Sequence, residues 1–255
     1  MNFKKYSAYY DLLYADKNYQ AEAEYVARRL RTASSQTRTI LELGSGTGRH
    51  GWLLAAMGFE VHGIERSDDM ISMAVEGSAE NQAGFTCETG DLRDVRMNRV
   101  FDAVISLFHV ISYQITDKDL NAAFTTAGEH LEPGGLFLFD VWHGPAVMAT
   151  PPSNRVKEMT DERYRVKRIA RPETNLAART VKVVYDLDCE DLKTGHRAQF
   201  SEEHVMRYLF PDEIVGLATA VGFEVVSSEE FLTGRGPSAD TWGVSYLLKK
   251  QDAHA

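Results

Sequence analysis

A chain of 255 residues with 44% hydrophobic content can bury one α/β core and still carry a sizeable insertion. Its formal net charge of −9 argues against a general nucleic-acid binder; no apolar run approaches the roughly 20 residues of a membrane span, and the N-terminal Met-Asn-Phe-Lys-Lys-Tyr has no apolar signal region, so a cytoplasmic location is expected. Cys87 and Cys189 lie far apart without metal-ligand spacing, which reads as two reduced structural thiols and no metal site.

Residues 3 to 31 read as helical and begin with aromatics: Phe3, Tyr6, Tyr9, Tyr10, Tyr14 and Tyr19. Tyr25, Val26 and Leu30 share a face fit to pack on a sheet. Ile40 to Leu43 reads as a short buried strand, apolar apart from Glu42. Glycines at alternate positions follow, Gly44, Gly46 and Gly48, and then a helical pattern with Trp52, Leu53, Leu54, Ala56 and Met57. Strand, glycine turn and helix start together suit a nucleotide-like ligand, because glycine permits a sharp turn and a close approach and the helix start offers free N–H groups. The dinucleotide fingerprint needs glycine at the sixth position counted from Gly44, where Arg49 stands.

Phe59 to Glu65 reads as the second strand, and Glu65 ends it about 20 residues beyond the loop, the spacing at which an acid accepts hydrogen bonds from a ribose diol. Ser67 caps the next helix, and Met70 falls against the ligand or the core. A third strand from Phe85 runs into the loop Asp91-Leu92-Arg93-Asp94, and Val100 to Phe108 forms a fourth. Ligands of open α/β sheets sit at strand carboxyl ends, so Leu107, Phe108, His109 and Tyr113 are expected to line the reaction chamber. A helix from Asp117 to Leu131, the turn Glu132-Pro-Gly-Gly135 and a fifth strand, Leu136 to Trp142, follow, with Asp140, Trp142 and His143 at its outer end.

From Pro151-Pro152 the pattern changes. Arg163 to Ala170, Ala178 to Cys189 and Gln199 to Leu209 alternate like strands, with Lys193-Thr-Gly195 as a hairpin turn. Residues 151–209 therefore read as an antiparallel β insertion over the pocket, and residues 1–150 with 210–255 as the main domain. Between Arg155 and Arg171 seven basic residues (Arg155, Lys157, Arg163, Arg165, Lys167, Arg168, Arg171) stand against three acids, and Arg163, Arg165 and Lys167 share one strand face. That face is either solvated or a contact for an anion such as a diphosphate. A helix from Pro211 to Val221 and two further strands, Gly222 to Val226 and Trp242 to Lys249, close the chain.

The stretch Glu42-Leu-Gly-Ser-Gly-Thr-Gly48 resembles motif I of the class I S-adenosylmethionine-dependent methyltransferases. Gly90-Asp91-Leu92 after the third strand, Phe101-Asp-Ala-Val104 in the fourth and Leu131-Glu-Pro-Gly-Gly135 before the fifth agree with that class, as does a connection of Gly234-Arg-Gly-Pro237 between the last two strands. The resemblance covers residues 39 to 142 closely and 211 to 249 in outline. It implies an α/β fold, a doubly wound seven-stranded Rossmann-like methyltransferase sheet with an antiparallel β lid insertion, and S-adenosylmethionine as cofactor. It assigns cofactor contacts to Tyr14, Tyr19, Glu42, Gly44, Ser45, Gly46, Arg49, Glu65, Arg66, Met70, Asp91, Leu92, Leu107 and Phe108. Of these, Asp91 accepts from the adenine amine, and the next backbone N–H donates to a ring nitrogen.

Within the class, the chain is most similar to N-methyltransferases of nucleotide-linked amino sugars, the desosamine and mycaminose N,N-dimethyltransferase type. The aromatic segment from Tyr10 to Tyr25, the β insertion and Gly234-Arg235-Gly236 carry this closer match. It implies a nucleotide-diphosphate amino sugar as substrate and places Tyr14 and Arg235 at the active site; His109 and His143 are the candidate bases. Where those relatives often carry histidine after the fourth strand, this chain has Tyr113. Methylation at O or C, another small molecule as acceptor, and cofactor binding without catalysis therefore stay open. A homodimer is compatible with the resemblance.

Overall fold

The computed structural model describes residues 7–76 and 84–252; Phe3 and Tyr6 lie outside them. The expected N-terminal helix is two helices, α1 (Ser7–Leu13) and α2 (Tyr19–Ala33), separated by a turn. Asn18 starts α2 by accepting a hydrogen bond from the Ala21 backbone N–H at 3.0 Å. Then come β1 (Thr39–Leu43), α3 (Arg49–Ala56), β2 (Glu60–Glu65), α4 (Asp68–Glu76), β3 (Phe85–Thr89), β4 (Phe101–Ser106), α5 (Asp117–Glu129), β5 (Leu131–Trp142) and α6 (Gly144–Ala149). Four strands follow, β6 (Arg155–Thr160), β7 (Tyr164–Asn175), β8 (Thr180–Asp191) and β9 (Arg197–Arg207), and the chain ends with α7 (Pro211–Ala220), β10 (Phe223–Glu230) and β11 (Gly243–Lys250).

Seven strands form the main sheet in the order β10-β11-β5-β4-β1-β2-β3. The neighbours from β3 to β5 are parallel, and β11 runs antiparallel to both β5 and β10. Helices cover both faces, which explains the unbroken apolar run in β5. Phe137, Phe139 and Val141 pack with Leu120 and Phe124 of α5 and Ile214 of α7. Leu136 and Leu138 point the other way, to Val26 and Leu30 of α2 and Leu54 of α3. Tyr25 is core as expected: it is buried, with its hydroxyl 2.6 Å from Ser245 Oγ and donating to Glu229 at 3.1 Å. The Pro133-Gly134-Gly135 turn survives as a bulge inside β5, where pairing with β4 jumps from Phe101–Leu131 to Ala103–Leu136.

The order of the sheet reverses between β1 and β4, so a crevice opens at their carboxyl ends. A second sheet, order β6-β7-β8-β9, is wholly antiparallel. Its first strand was not legible in the sequence, because the burial along Arg155–Thr160 never falls to a fully buried position that an apolar residue would mark. Strand β7 also runs past its expected end, through Pro172. Pairing with β6 stops at Ala170, so the missing N–H of Pro172 falls where β7 is an edge.

One face of this sheet packs Val166, Leu187 and Cys189 against Leu13 of α1, and Val181 and Val183 lie against Val147 of α6. On the other face Arg165 pairs with Glu190 and Lys167 with Glu158, both at 2.8 Å and both exposed. Arg163, at 3.6 Å from Asp191, is equally exposed. These three basic residues form a solvated face, and exposed pairs of this kind contribute little to stability.

Two helix glycines test the packing. A Cβ added at Gly51 in α3 would lie 2.3 Å from a ring carbon of Phe85, a buried ring against the edge of Trp52. Gly216 in α7 has nothing within 4 Å of the same atom. Gly51→Ala is expected to destabilise by about 1–3 kcal/mol, and Gly216→Ala to stabilise by about 0.5–1 kcal/mol. Urea unfolding would read both; midpoints that move in the same direction would refute this account.

Candidate active site

The glycine loop runs from β1 to α3 with Gly44, Gly46 and Gly48 at φ of 80°, 56° and 76°. A side chain at Gly44 would collide with Val110 at 2.6 Å, whereas one at Gly46 would enter open space. Glu65, at the end of β2, holds the loop in place. One carboxylate oxygen accepts from Gly46 N–H at 3.1 Å and the other from Ser67 N–H at 2.9 Å. Burial pushes the Glu65 carboxyl up against the opposing pull of those hydrogen bonds. From above, Asp11 of α1 accepts from the Thr47 hydroxyl at 3.0 Å and from Arg49 Nε at 3.1 Å.

A cavity of about 1090 Å³ opens over this loop. Tyr14, Tyr19, Gly44, Ser45, Gly46, Arg49, Glu65, Arg66, Met70, Asp91, Leu92, Leu107, Phe108 and His109 all line it, as do Tyr113 and Trp142. The second sheet completes the wall with Arg155, Arg168, Tyr185 and His204. Asp91 is not idle: its carboxylate accepts from Arg93 N at 3.0 Å, Nε at 2.9 Å and Nη2 at 2.6 Å, and these bonds hold it below the usual carboxylate range.

Three expected site residues fall outside the lining. Arg235 belongs to a solvent-facing turn; its side chain is 74% exposed and pairs with Glu230 at 2.5 Å. The expectation that it faces the active site is not met, because the Gly-Arg-Gly turn folds back onto the end of β10. His143 is buried at the start of α6, where its backbone N–H donates to the Trp242 carbonyl at 3.0 Å, and burial pushes its imidazole pKa down. Glu42 lies beneath the loop, 1% exposed, with Oε2 lacking a hydrogen-bond partner among the described residues.

Around Glu42 stands a buried charged cluster that the sequence did not announce. Lys17 Nζ donates to Glu22 at 2.5 Å, and His50 Nε2 lies 2.8 Å from the same carboxylate oxygen. Glu42 approaches the other ring nitrogen of His50 at 3.9 Å. The Lys17 ammonium also sits 4.3 Å from the Tyr19 ring centroid and 4.0 Å from that of Phe108, a cation between two aromatic faces. Burial pushes both Lys17 and His50 down. It opposes ionisation of Glu22 too, but the bonds from His50 and Lys17 prevail and hold that carboxyl low. Only His50 had a positional signal, standing directly after the loop; Lys17 and Glu22 had none.

At the end of β4, Phe108 and His109 both adopt positive φ, 64° and 61°. The turn swings His109 back onto Asp140 of β5. Its Nδ1 lies 2.6 Å from Oδ2, and its backbone N–H reaches both carboxylate oxygens at 3.2 Å. Burial works against the Asp140 charge, but His109 outweighs it and keeps the carboxyl low. Tyr14 sets its ring edge against Phe108 at 5.0 Å between centroids, and its hydroxyl accepts from Arg168 at 3.1 Å.

The comparisons with known proteins agree with this architecture. The family described as a methyltransferase domain matches residues 40–135. The chain is 31% identical over 229 residues to the dTDP-3-amino-3,4,6-trideoxy-alpha-D-glucopyranose N,N-dimethyltransferase of Streptomyces venezuelae, covering 89% of this chain and 93% of that one. It is 27% identical over 231 residues to the dTDP-3-amino-3,6-dideoxy-alpha-D-glucopyranose N,N-dimethyltransferase of Streptomyces fradiae, covering 90% and 86%. The crystal structure of Streptomyces venezuelae DesVI superposes with a TM-score of 0.81 at 26% identity, covering 96% and 98%. A sheet reversed between β1 and β4, a glycine loop tied to an acid on β2, and these relatives define one class: the chain belongs to the class I S-adenosylmethionine-dependent methyltransferases.

Glu42 gives a pH-dependent prediction. Burial raises its carboxyl from 4.5 to about 8. A carboxyl whose folded value exceeds its unfolded value contributes stability that is complete below 4.5 and lost as pH rises toward about 8. Glu42→Gln removes that titration. The stability of the variant relative to wild type is expected to rise with pH across this window, read by urea unfolding in matched buffers. A difference that stays flat with pH would show that Glu42 does not titrate in this way.

Proposed function

We propose that this methyltransferase acts on the amine of a nucleotide-linked amino sugar. The observation that carries the reading is the extent of the cavity. It runs from the glycine loop to Arg155 and Arg168 on the second sheet, with room for two ligands side by side. The N,N-dimethyltransferases named above, alike over nearly the whole chain, support the same acceptor class. In this reading residues 1–150 and 210–255 bind the cofactor, and residues 151–209 cover the acceptor.

The residues present fit S-adenosylmethionine. Gly46 leaves open space at the loop, Glu65 retains lone pairs beyond the two it uses, and the buried Glu42 has an unpaired oxygen beneath. When bound, the cofactor supplies a methyl group already activated on a sulfonium. Glu65 is then the acceptor for a ribose diol, and Asp91, Leu92 and Met70 frame the base. Tyr14, Tyr19 and Phe108 exclude water and turn aromatic faces toward positive charge. Arg155 and Arg168 offer charge-assisted donors to a diphosphate, which fixes the acceptor in line. His109, braced by Asp140, forms the wall beside Phe108.

Mass spectrometry of dTDP-linked sugars, with and without free amines, tests the acceptor: methyl gain confined to the amino sugars is expected. Tight cofactor binding with no gain on any of them would discard this substrate class. Glu65→Ala is expected to weaken S-adenosylmethionine binding by about 10- to 100-fold in calorimetry. Arg155→Ala should raise KM for the nucleotide sugar about 10-fold and leave cofactor affinity unchanged; a reversed pattern would exchange the two ends of the cavity.

A further inference from the structure

Where the second sheet meets the turn after β4, the cavity wall contains a chain of proton-carrying groups that the cofactor side does not use. Tyr113, in the short 3₁₀ turn after β4, lines the cavity. Its hydroxyl lies 2.9 Å from Nδ1 of His204, carried on β9. His204 is 2% exposed, and its Nε2 lies 3.7 Å from the carboxylate of Glu202 on the same strand. From β8, Tyr185 sets its ring against the imidazole at 4.9 Å, and Arg168 of β7 lies 4.6 Å over Tyr185. Glu202 faces Nε2 from beyond hydrogen-bond distance, and a carboxylate on that side favours Nε2–H electrostatically and leaves Nδ1 to accept a proton.

We infer that Tyr113 takes the proton from the acceptor amine and passes its own to His204, so that the second sheet supplies the proton acceptor of the reaction as well as a cover. The inference rests on the amine-acceptor reading given above. In the step, an N–H bond of the acceptor ammonium breaks and its electron pair stays on nitrogen. The proton goes to the Tyr113 oxygen while the Tyr113 proton moves to His204 Nδ1. The acceptor becomes a neutral amine with a lone pair, Tyr113 is unchanged overall, and His204 becomes an imidazolium opposite Glu202.

Three features favour this direction. Burial holds the Tyr113 hydroxyl well above its ordinary range, with Tyr14, Tyr185 and Glu202 adding to the rise and Arg168 opposing it, so it acts as a neutral relay and not as a stored anion. Arg168, which lies over Tyr185 in the same wall, carries donors and no acceptor atom, so it cannot take the proton in place of His204. The other two histidines that line the cavity are engaged elsewhere: His109 has its Nδ1 against Asp140 on the wall beside Phe108, and His50 has its Nε2 2.8 Å from Glu22 beneath the loop. Tyr113 is thus the catalytic contact, and His204 and Glu202 act through it.

Two measurements decide the matter. Nitrogen-15 NMR of the whole protein labelled at histidine is expected to show His204 as the Nε2–H tautomer, with Nδ1 shifting in Tyr113→Phe. An Nδ1–H tautomer would overturn the relay whatever the substrate. In kinetics on the amino-sugar panel, Tyr113→Phe and His204→Gln are each expected to lower kcat by about 100-fold. Both should do so with cofactor affinity retained and the acidic limb of the kcat–pH profile displaced. If both variants keep wild-type kcat, or the acidic limb moves only with His109 substitutions, the relay is wrong. Wild-type transfer is the control: its absence counts against the acceptor class, and the tautomer then decides the relay alone.

Discussion

The site depends on the grip of Glu65 on the glycine loop. Three residues at positive φ would form a loose turn were it not pinned by the strand-end carboxylate, which takes backbone N–H groups on both of its oxygens. That carboxylate is half-buried, so its hydrogen bonds are partly shielded from water and costly to lose. The grip also fixes where the ligand can lie. The loop must leave its open side at Gly46, because Val110 closes off Gly44 and Phe85 closes off Gly48. Parallel pairing of β1 with β2 sets Glu65 beside the loop, so the geometry descends from the order of the sheet.

Beneath the loop, the alternation of a strand decides which residues meet. Leu41 and Leu43 of β1 face the core of α5 and α7, while Ile40 faces that of α2 and α3. Glu42 shares the face of Ile40 and so is driven toward Lys17, Glu22 and His50. A carboxyl left there with an unpaired oxygen costs about 1–3 kcal/mol. The Lys17 cation is held between Tyr19 and Phe108, two cavity-lining rings that already present the faces that a positive centre prefers.

Much of this was legible in the chain. Glycine spacing, an acid about 20 residues on and apolar runs of strand length located the loop, Glu65 and the order of elements. Local periodicity carries such information because the main sheet is buried on both faces. The second sheet was harder. Its strands are half solvated, and β6 has no fully buried position to mark it. Pro172 reads as a stop but lies on an edge that only the fold reveals. The basic run was visible, yet its meaning turned on parity. Arg165 and Lys167 point to solvent, and Arg168, one residue further, points into the cavity. Arg235 was placed by resemblance, and the turn it occupies faces solvent. The cluster of Lys17, Glu22, His50 and Glu42 joins two positions beside the glycine loop to two that carry no local signal, so its pairing was not legible along the chain.

Arg168 shows why the two sheets act as one site. Its guanidinium donates to the Tyr14 hydroxyl and lies over the Tyr185 ring. Tyr14 in turn rests on Phe108 at the end of β4, next to His109. A single side chain of the second sheet thus touches the N-terminal segment, and through one ring contact it reaches the carboxyl end of the main sheet. Lys157, bonded to Asp16 at 2.7 Å, adds a second tie to the same segment. The segment from α1 to the start of α2 is therefore held from both sides, by the second sheet through Tyr14 and Asp16 in the turn and by the glycine loop through Asp11 of α1. An acceptor held by the second sheet and a cofactor held by the loop would share that turn as a common wall. Their relative placement then follows from a few short contacts, not from the rigidity of either sheet alone.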